Sequence, residues 1–192
     1  DQMSFEDMSF LVNLGGWQTA QIASVGKVAT SDCDGPAGVN NFITGTYGTP
    51  YPTEVLMAQT WNTDLLYDLG LAMGQEYADV NNYGVYGPAM NTHRSAFAGR
   101  NFEYYSEDGV LAGKLAAAQV NAMATKGTYN YIKHFALNDQ ETNRCAFLLT
   151  YSNEQAIREI YLKPFELCIK NFDGTQIAVM SSFNWIGTVP AC

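Results

Sequence analysis

The chain has 192 residues, of which 47% are hydrophobic and 15% are charged, and its formal net charge is −9. This composition is typical of a globular protein with one sizeable core, and it excludes a disordered chain. The negative charge repels polyanions and no cluster of Lys and Arg offsets it locally, so we expect no nucleic-acid partner. No run of about 18 uncharged apolar residues occurs, so we expect no membrane span. A neutral, polyhydroxylated ligand suits this charge balance.

The cysteines and histidines argue against a bound metal. The four cysteines are widely scattered, no C-x-x-C pair occurs, and there are only two histidines. A structural zinc site is therefore not predicted, and we expect no cofactor. Free, mostly buried thiols are the prediction for Cys33, Cys145, Cys168 and Cys192. The chain starts at Asp1 rather than Met, so the compartment, cytoplasmic or secreted, stays open.

The first part of the chain predicts one helix and one short strand separated by loops. Residues 4–14 read as a helix that a glycine pair ends, and residues 28–31 form a short extended run. Residues 32–38 (D-C-D-G-P-A-G) and residues 45–52 are too rich in turn-forming residues for regular structure.

The middle of the chain predicts two helices, each followed by a strand. The first helix begins after Asn62 or Thr63, either of which can cap it, and residues 83–90 form the strand that follows it. A polar loop at residues 91–109 leads to the second helix, and residues 129–135 form its strand. Apolar residues at three- and four-residue spacing mark the first helix (Leu65, Leu66, Leu69, Met73, Tyr77) and the second (Leu111, Leu115, Ala118, Ala122).

The last part predicts a loop, a helix and a strand. A polar loop covers residues 136–151, and Ser152 with the glutamine three residues later forms a capping-box pattern. Pro164 should kink the helix, which an Asp-Gly pair ends. Residues 175–182 form a strand whose near-continuous apolar run predicts burial on both faces. The apolar stripe of the helix consists of Ile157, Ile160, Tyr161, Phe165 and Cys168.

The alternation of strands and helices predicts an α/β fold with mostly parallel strands. The longest polar loops follow strands, as they do at the ligand-binding rim of a (β/α)8 barrel. About four strands are visible, and four cannot close a barrel of eight. We therefore expect residues 1–192 to form one partial TIM-like barrel domain, which a companion fragment or a swapped copy completes.

Three clusters of polar residues follow strands and are the candidate functional residues. They are Asp34 in D-G-P-A-G, the residues Arg94, Arg100 and Glu103, and the Lys133-His134 pair. Each cluster has a plainer interpretation. Asp34 could cap a turn, Arg100 and Glu103 could form a local ion pair, and Lys133-His134 could be a phosphate site, a sugar clamp or a structural pair. Their convergence on one rim would allow several donors and a carboxylate to hold the hydroxyls of a pyranose.

Five motifs occur in the order typical of one enzyme family. From residue 30 onward the chain resembles glycoside hydrolase family 3, and the motifs that carry the resemblance are D-G-P-A-G, A-G-R-N-F-E-Y-Y-S-E-D, K-H-F-A-L-N-D-Q-E-T-N-R, E-Q-A-I-R-E-I-Y-L-K-P-F-E and V-M-S-S-F-N. The resemblance implies a barrel domain and retaining hydrolysis of terminal β-glucosyl residues. The loop K-H-F-A-L-N-D-Q is similar to that of the glucosidase and xylosidase branch, because it lacks the histidine motif of the N-acetylglucosaminidases.

The resemblance also implies roles for individual residues. The residues implied to bind the glycone are Asp34, Arg94, Arg100, Lys133 and His134, with Arg94 the weakest match. Glu103 would orient neighbouring cations. The nucleophile and the acid/base, which a retaining enzyme holds about 5 to 5.5 Å apart, are expected outside this chain, because in the family they come after the last motif or from another domain. This chain alone should then be inactive.

Departures from the family pattern leave the substrate open. Asn40 stands where many members have an arginine, and Phe183 stands where many have a tyrosine. A β-xylosidase or α-L-arabinofuranosidase is the nearest alternative function. A non-catalytic carbohydrate-binding or structural fragment is the alternative from a different class.

Overall fold

The computed structural model describes residues 2–174 and 176–191. Its helices are α1 (Phe5–Asn13), α2 (Glu54–Ala58), α3 (Thr63–Asp79), α4 (Gly109–Ala124), α5 (Glu154–Ala156) and α6 (Lys163–Lys170). Short 3-10 turns occur at Ala23–Val25 and Asn101–Glu103, and a π-helical turn at Ile157–Tyr161 joins α5 to α6.

Ten strands form two sheets. They are β1 (Gln18–Thr19), β2 (Thr30–Asp34), β3 (Asn40–Asn41), β4 (Thr46–Tyr47), β5 (Asn82–Tyr86), β6 (Tyr129–Phe135), β7 (Leu149–Thr150), β8 (Ile177–Ser181), β9 (Trp185–Ile186) and β10 (Val189–Pro190). The main sheet has the order β4-β3-β2-β5-β6-β8, with β1 paired to β2, and the small sheet has the order β10-β9-β7.

Four strands of the main sheet, β2, β5, β6 and β8, run parallel. The carboxyl ends of these strands therefore lie at one edge of the sheet. Helix α4 packs against both α3 and α6, while α3 contacts β5 and α4 contacts β6. This confirms the predicted α/β fold, a partial TIM-like barrel with mostly parallel strands and flanking helices.

The buried face of α3 matches the predicted apolar face except at Leu65. Asn62 caps the helix through its side chain as expected, and Met73 and Tyr77 are buried, but Leu65 is 48% exposed. Gly70 faces α4 instead, and a Cβ at this position would lie 2.5 Å from the Gln119 carbonyl oxygen. The two helices approach so closely at this glycine that the buried face is turned away from Leu65.

The helix after residue 151 begins and bends differently from the prediction. The side chain that caps it is Asn153, which accepts from the Ala156 N–H, so the capping role predicted for Ser152 is wrong. The bend before Pro164 takes the form of the π-helical turn, and Pro164 lies in the first turn of α6. Proline fits there because its missing N–H would have had no partner within the helix.

The last parallel strand, β8, is not covered on both faces. Val179 is 47% exposed and lines an open hollow together with Tyr86 and Tyr131. Within the described ranges β8 pairs only with β6, so the prediction of a strand buried on both faces is wrong. Thr175, the first residue of the predicted strand, lies outside the described residues.

The structure describes three of the four cysteines. Cys33 and Cys168 are free and buried, whereas Cys145 is free and exposed; Cys192 lies outside the described residues. Across residues 2–174 and 176–191, no helix combines the length and the apolar character that crossing a bilayer requires.

Candidate functional site

The loop that follows β2 is shaped around one tyrosine hydroxyl. The Tyr77 hydroxyl lies 3.0 Å from the carbonyl oxygen of Asp34, 2.9 Å from that of Gly35 and 3.2 Å from that of Gly38. Gly35 has a φ of 141°, and a Cβ there would lie 2.0 Å from the same hydroxyl. Only glycine fits this close approach. The loop D-G-P-A-G is thereby held against α3, with Asp34 at the carboxyl end of β2.

The Asp34 carboxyl is half-buried beside charged groups of both signs. Burial raises its pKa above the usual value, and the negative charge of Glu103 adds to the rise. The cations Lys133 and Arg100 act in the opposite direction. A carboxyl in this setting can accept hydrogen bonds from hydroxyl groups of a ligand.

Glu103 joins two cations that come from different parts of the chain. The Lys133 Nζ atom of β6 lies 3.2 Å from one carboxylate oxygen of Glu103, and the Arg100 Nε atom contacts the other. The side chains of Lys133 and Glu103 are only 4% and 7% exposed. Burial alone would lower the pKa of Arg100, but the hydrogen bond and charge of Glu103 raise it above the ordinary value. Both cations are therefore held in place by the carboxylate.

Asp34, Arg100 and Lys133 line one open hollow of about 540 Å³ at the carboxyl edge of the sheet. This volume is within the range of about 300–1,000 Å³ that is typical of small-molecule sites. The hollow also contains Asn40. Its remaining lining residues are Gly35, Pro36, Ala37, Gly38, Val39, Tyr47, Gly48, Thr49, Pro50, Phe102 and Glu103.

Arg94 is not brought to this hollow. Its side chain is 63% exposed, and its Nε atom lies 2.8 Å from the Asp139 carboxylate. The loop of residues 91–109 is long enough that Arg94 and Arg100 face different neighbours. As this chain is folded, Arg94 is a partner of Asp139 rather than of Asp34.

His134 follows Lys133 but does not line the hollow. The Asn91 side chain fixes its backbone: Asn91 Oδ1 accepts from the His134 N–H at 2.7 Å, and Asn91 Nδ2 donates to the His134 carbonyl at 2.9 Å. The imidazole is buried. Burial, reinforced by the nearby cation Lys133, lowers the pKa of His134 to about 2. The imidazole is therefore neutral at any physiological pH.

Sequence reasoning missed several residues of this region. Glu54 begins α2 and is completely buried, although a glutamate in the first turn of a helix normally faces solvent. Asn91 and Tyr104 support His134, but an asparagine or tyrosine in a polar loop carries no signal of that role. For Tyr104, the one signal in the sequence is its place in the R-N-F-E-Y-Y motif, between Glu103 and the helix that follows.

A second hollow, of about 610 Å³, lies at the opposite end of the parallel strands. Lys27 is its one charged lining residue, and the Lys27 ammonium already donates to Thr19 and to the carbonyls of Ala20 and Val28. This hollow therefore offers no free charged group to a ligand. Among the residues whose placement is described, no group of three His, Cys, Asp or Glu side chains could hold a metal ion.

Comparison with known proteins places the chain in a family. A family model described as the glycosyl hydrolase family 3 N terminal domain matches residues 19–192. "Beta-glucosidase A" of Butyrivibrio fibrisolvens is 43% identical over 177 residues, which cover 88% of this chain and 21% of that protein. "Beta-glucosidase B" of Emericella nidulans is 37% identical, with 93% of this chain and 21% of that protein covered. The chain thus spans about a fifth of the length of these relatives.

Solved structures show the same similarity. Beta-glucosidase 3B from Thermotoga neapolitana, in complex with glucose, is 39% identical with a TM-score of 0.80, and the match covers 91% of this chain and 25% of that one. The β-glucosidase of Bifidobacterium adolescentis is 32% identical with a TM-score of 0.86, and covers 96% of this chain and 27% of that one. The match over nearly the whole chain, together with the partial barrel and its ordered motifs, shows that this chain belongs to glycosyl hydrolase family 3.

Proposed function

We propose that this chain is the glycone-binding part of a retaining β-glucosidase. The observation that carries the proposal is that Asp34, Arg100 and Lys133, far apart in the sequence, line a single hollow at the carboxyl edge of the parallel strands. The ligand is a β-glucoside or a related oligosaccharide. The glucose-bound structure of the relative from Thermotoga neapolitana supports the choice of sugar.

The polarity of the hollow suits a pyranose. Asp34 supplies acceptor oxygens, whereas Lys133 and Arg100 supply donors in the same hollow. Each hydroxyl of a sugar can donate one hydrogen bond and accept others, so neighbouring hydroxyls can bridge a carboxylate and a cation. Hydrogen bonds to charged partners are about twice as strong as those between neutral groups. A few such contacts can fix the orientation of an uncharged ring.

The assigned binding residues are not equally supported. The shared hollow supports Asp34, Arg100 and Lys133. We keep His134 among the assigned binding residues because it follows Lys133 directly on β6 and because Asn91 fixes its backbone. For Arg94, the only support for a role in binding is the resemblance to glycoside hydrolase family 3, since in this chain Arg94 pairs with Asp139 away from the hollow.

We also propose that residues 1–192 form only part of the barrel domain of the complete enzyme. The nucleophile and the acid/base then come from the remainder of that protein. The share of about a fifth that the chain covers in its curated relatives supports this division. Within the hollow, Glu103 is engaged by Lys133 and Arg100, which suits a carboxylate that orients cations rather than one that attacks a sugar.

The test is the substitution Lys133→Ala in the complete protein. Hydrolysis of nitrophenyl β-glucoside should fall by about 100-fold or more, because a charged donor to the reacting sugar is lost. Lys114→Ala is the matched control, since Lys114 is exposed on α4, and it should keep the activity of the unmodified protein. Wild-type activity in Lys133→Ala would refute the assignment of the hollow.

Two further measurements separate the alternatives. The ratio of rates on nitrophenyl β-glucoside and nitrophenyl β-xyloside distinguishes a glucosidase from a xylosidase. Calorimetric titration of the isolated chain with glucose addresses the non-catalytic alternative. A carbohydrate-binding module would bind glucose by itself, whereas a part of a barrel should bind weakly or not at all.

A further inference from the structure

A series of contacting side chains connects an ion pair near the surface to the imidazole of His134. Arg144 Nη1 lies 2.8 Å from one carboxylate oxygen of Glu141. The other oxygen of Glu141 lies 3.2 Å from Asn138 Nδ2. A carboxylate paired with an arginine only accepts hydrogen bonds, so the amide group that faces it must be the NH2 group. Glu141 therefore fixes the orientation of the Asn138 side chain.

The orientation of the Asn138 side chain determines whether the Tyr104 hydroxyl accepts a hydrogen bond from it or donates one to it. The same Nδ2 atom lies 2.7 Å from Tyr104 Oη and donates its second hydrogen there. The phenol is buried, which raises the pKa of Tyr104 above its usual value and keeps the hydroxyl protonated. The Tyr104 oxygen thus accepts from Asn138 and still has one hydrogen to donate.

The remaining partner of that hydrogen is His134. Tyr104 Oη lies 3.1 Å from His134 Nδ1, and the described part of the chain offers this hydroxyl no other acceptor. If Nδ1 carried the ring proton instead, Nδ1 and the phenol would both be donors and the buried phenol hydrogen would have no acceptor, which is unfavourable away from water. The imidazole is neutral, so Nδ1 can present a lone pair to the phenol.

We propose that Tyr104 and Asn138 are positioning residues that hold His134 in the tautomer protonated at Nε2. The proposal rests on the proposed function, which sets His134 among the sugar-binding residues, and it specifies the role of His134 there. Within the described residues Nε2 donates to no protein acceptor. Its N–H group is therefore available to an acceptor outside the protein, and the proposed function assigns that acceptor to a sugar hydroxyl. His134 acts as a hydrogen-bond donor and cannot serve as a general base at Nε2.

The first experiment reads the tautomer directly. In the complete protein labelled with 15N-histidine, the His134 signals are assigned by their loss in His134→Gln. We expect Nδ1 to resonate as an unprotonated nitrogen and Nε2 as a protonated one. In Tyr104→Phe the Nδ1 signal should move, because its donor is gone. A wild-type His134 protonated at Nδ1 would overturn the proposal whatever the activity of the protein.

The second experiment links the tautomer to binding. Tyr104→Phe should weaken inhibition by glucose about 10-fold, the size of one hydrogen bond. Tyr105→Phe is the matched control, because Tyr105 is the equally buried neighbour whose hydroxyl donates to Gln119 elsewhere in the core. That control should change glucose inhibition less than about 2-fold. Equal losses in both variants would indicate a general packing effect and would count against the positioning role.

A conservative replacement adds a third, independent readout. In His134→Gln the side-chain amide nitrogen lies near the position of Nε2 and keeps the donor, whereas His134→Leu removes it. Glucose inhibition should therefore persist in His134→Gln and be lost in His134→Leu. Failure of the proposed function would appear differently: the tautomer signals would be as expected, but neither the wild-type protein nor any variant would bind glucose.

Discussion

Glu54 shows how one buried side chain can lower the stability of the whole domain. Neither carboxylate oxygen has a hydrogen-bond partner of good geometry among the described residues, although backbone N–H groups of Glu54 and Ala89 lie near. Burial raises the pKa of Glu54 well above 4.5, and the charge of Glu103 adds to the rise while Lys133 opposes it. The folded chain therefore keeps a proton that the unfolded chain releases.

We predict that Glu54→Gln stabilises the protein at neutral pH. A glutamate with a raised pKa destabilises the folded state increasingly as the pH rises from about 4.5, where the unfolded chain loses the proton, toward the folded-state pKa. The neutral glutamine removes this dependence. Thermal unfolding should show a higher Tm for Glu54→Gln at pH 7, with each 1 kcal/mol worth about 2–4 °C, and little difference near pH 4.

The control for this prediction is Glu107→Gln, because Glu107 is exposed. It should leave the Tm almost unchanged at both pH values. A stabilisation by Glu54→Gln that is the same at pH 4 and pH 7 would contradict the argument, since it could not arise from an acid that titrates between them.

At the residue scale, the sequence predicts which side chains come together at the rim, but not which partners the neighbouring side chains contact or which of them are buried. Asp34, Arg100 and Lys133 could be placed at one rim because parallel strands bring their carboxyl ends together. The pairing of Arg94 with Asp139 and the burial of Glu54 depend on the path of loops, which no local pattern encodes. The role of Asn138 could not be predicted either, because no sequence pattern shows which group an asparagine side chain will contact.

At the scale of elements, the loop after β2 depends on α3. The three carbonyl oxygens of Asp34, Gly35 and Gly38 surround the Tyr77 hydroxyl, which is completely buried. Burial raises the pKa of Tyr77 well above its ordinary value, so the hydroxyl stays protonated and can donate. The position of the Asp34 carboxyl therefore depends on a buried residue that does not line the hollow.

Tyr77→Phe should lower the free energy of unfolding by about 1–3 kcal/mol, because buried carbonyl groups lose their donor. It should also weaken glucose binding, since the loop that carries Asp34 is no longer fixed. Urea unfolding and glucose inhibition measure the two effects. Tyr67→Phe on the same helix is the control, because Tyr67 is 39% exposed, and unchanged binding in Tyr77→Phe would show that the loop holds its shape without the hydroxyl.

The elements themselves differ in how well their sequence predicts them. The strand at residues 129–135 is predicted with its correct bounds, because its β-branched and aromatic residues lie between two clear loop signals. The face of α3 is predicted wrongly at Leu65, because hydrophobic spacing does not show that Gly70 allows close contact with α4. Short strands such as β3 and β7 were missed, since two residues carry no periodicity.

At the scale of the whole molecule, the part of the sheet around β8 is only partly covered within the described residues. Val179 on β8 is 47% exposed, and Phe183 and Tyr151 beyond the sheet are 60% and 70% exposed. An uncovered strand edge and exposed apolar side chains favour association. This surface supports the proposal that the remainder of the enzyme, as a companion chain or a swapped copy, completes the barrel.

The corresponding prediction concerns the isolated chain. Expressed alone, it should form dimers or larger assemblies in light scattering, because the edge of β8 and its apolar face remain uncovered. Adding the remainder of the enzyme as a second polypeptide should convert these assemblies into one defined complex. A monodisperse monomer at high concentration would count against an incomplete barrel.

The pairing of Glu103 with both Arg100 and Lys133 has a consequence for ligand choice. Two cations and two carboxylates, Glu103 and Asp34, meet at the hollow, so their formal charges cancel. A phosphorylated or carboxylated sugar would find both cations already neutralised and would bring its own anion close to Asp34. An uncharged sugar meets no such repulsion. If the hollow binds a sugar as proposed, this balance of charges favours a neutral sugar over an acidic one.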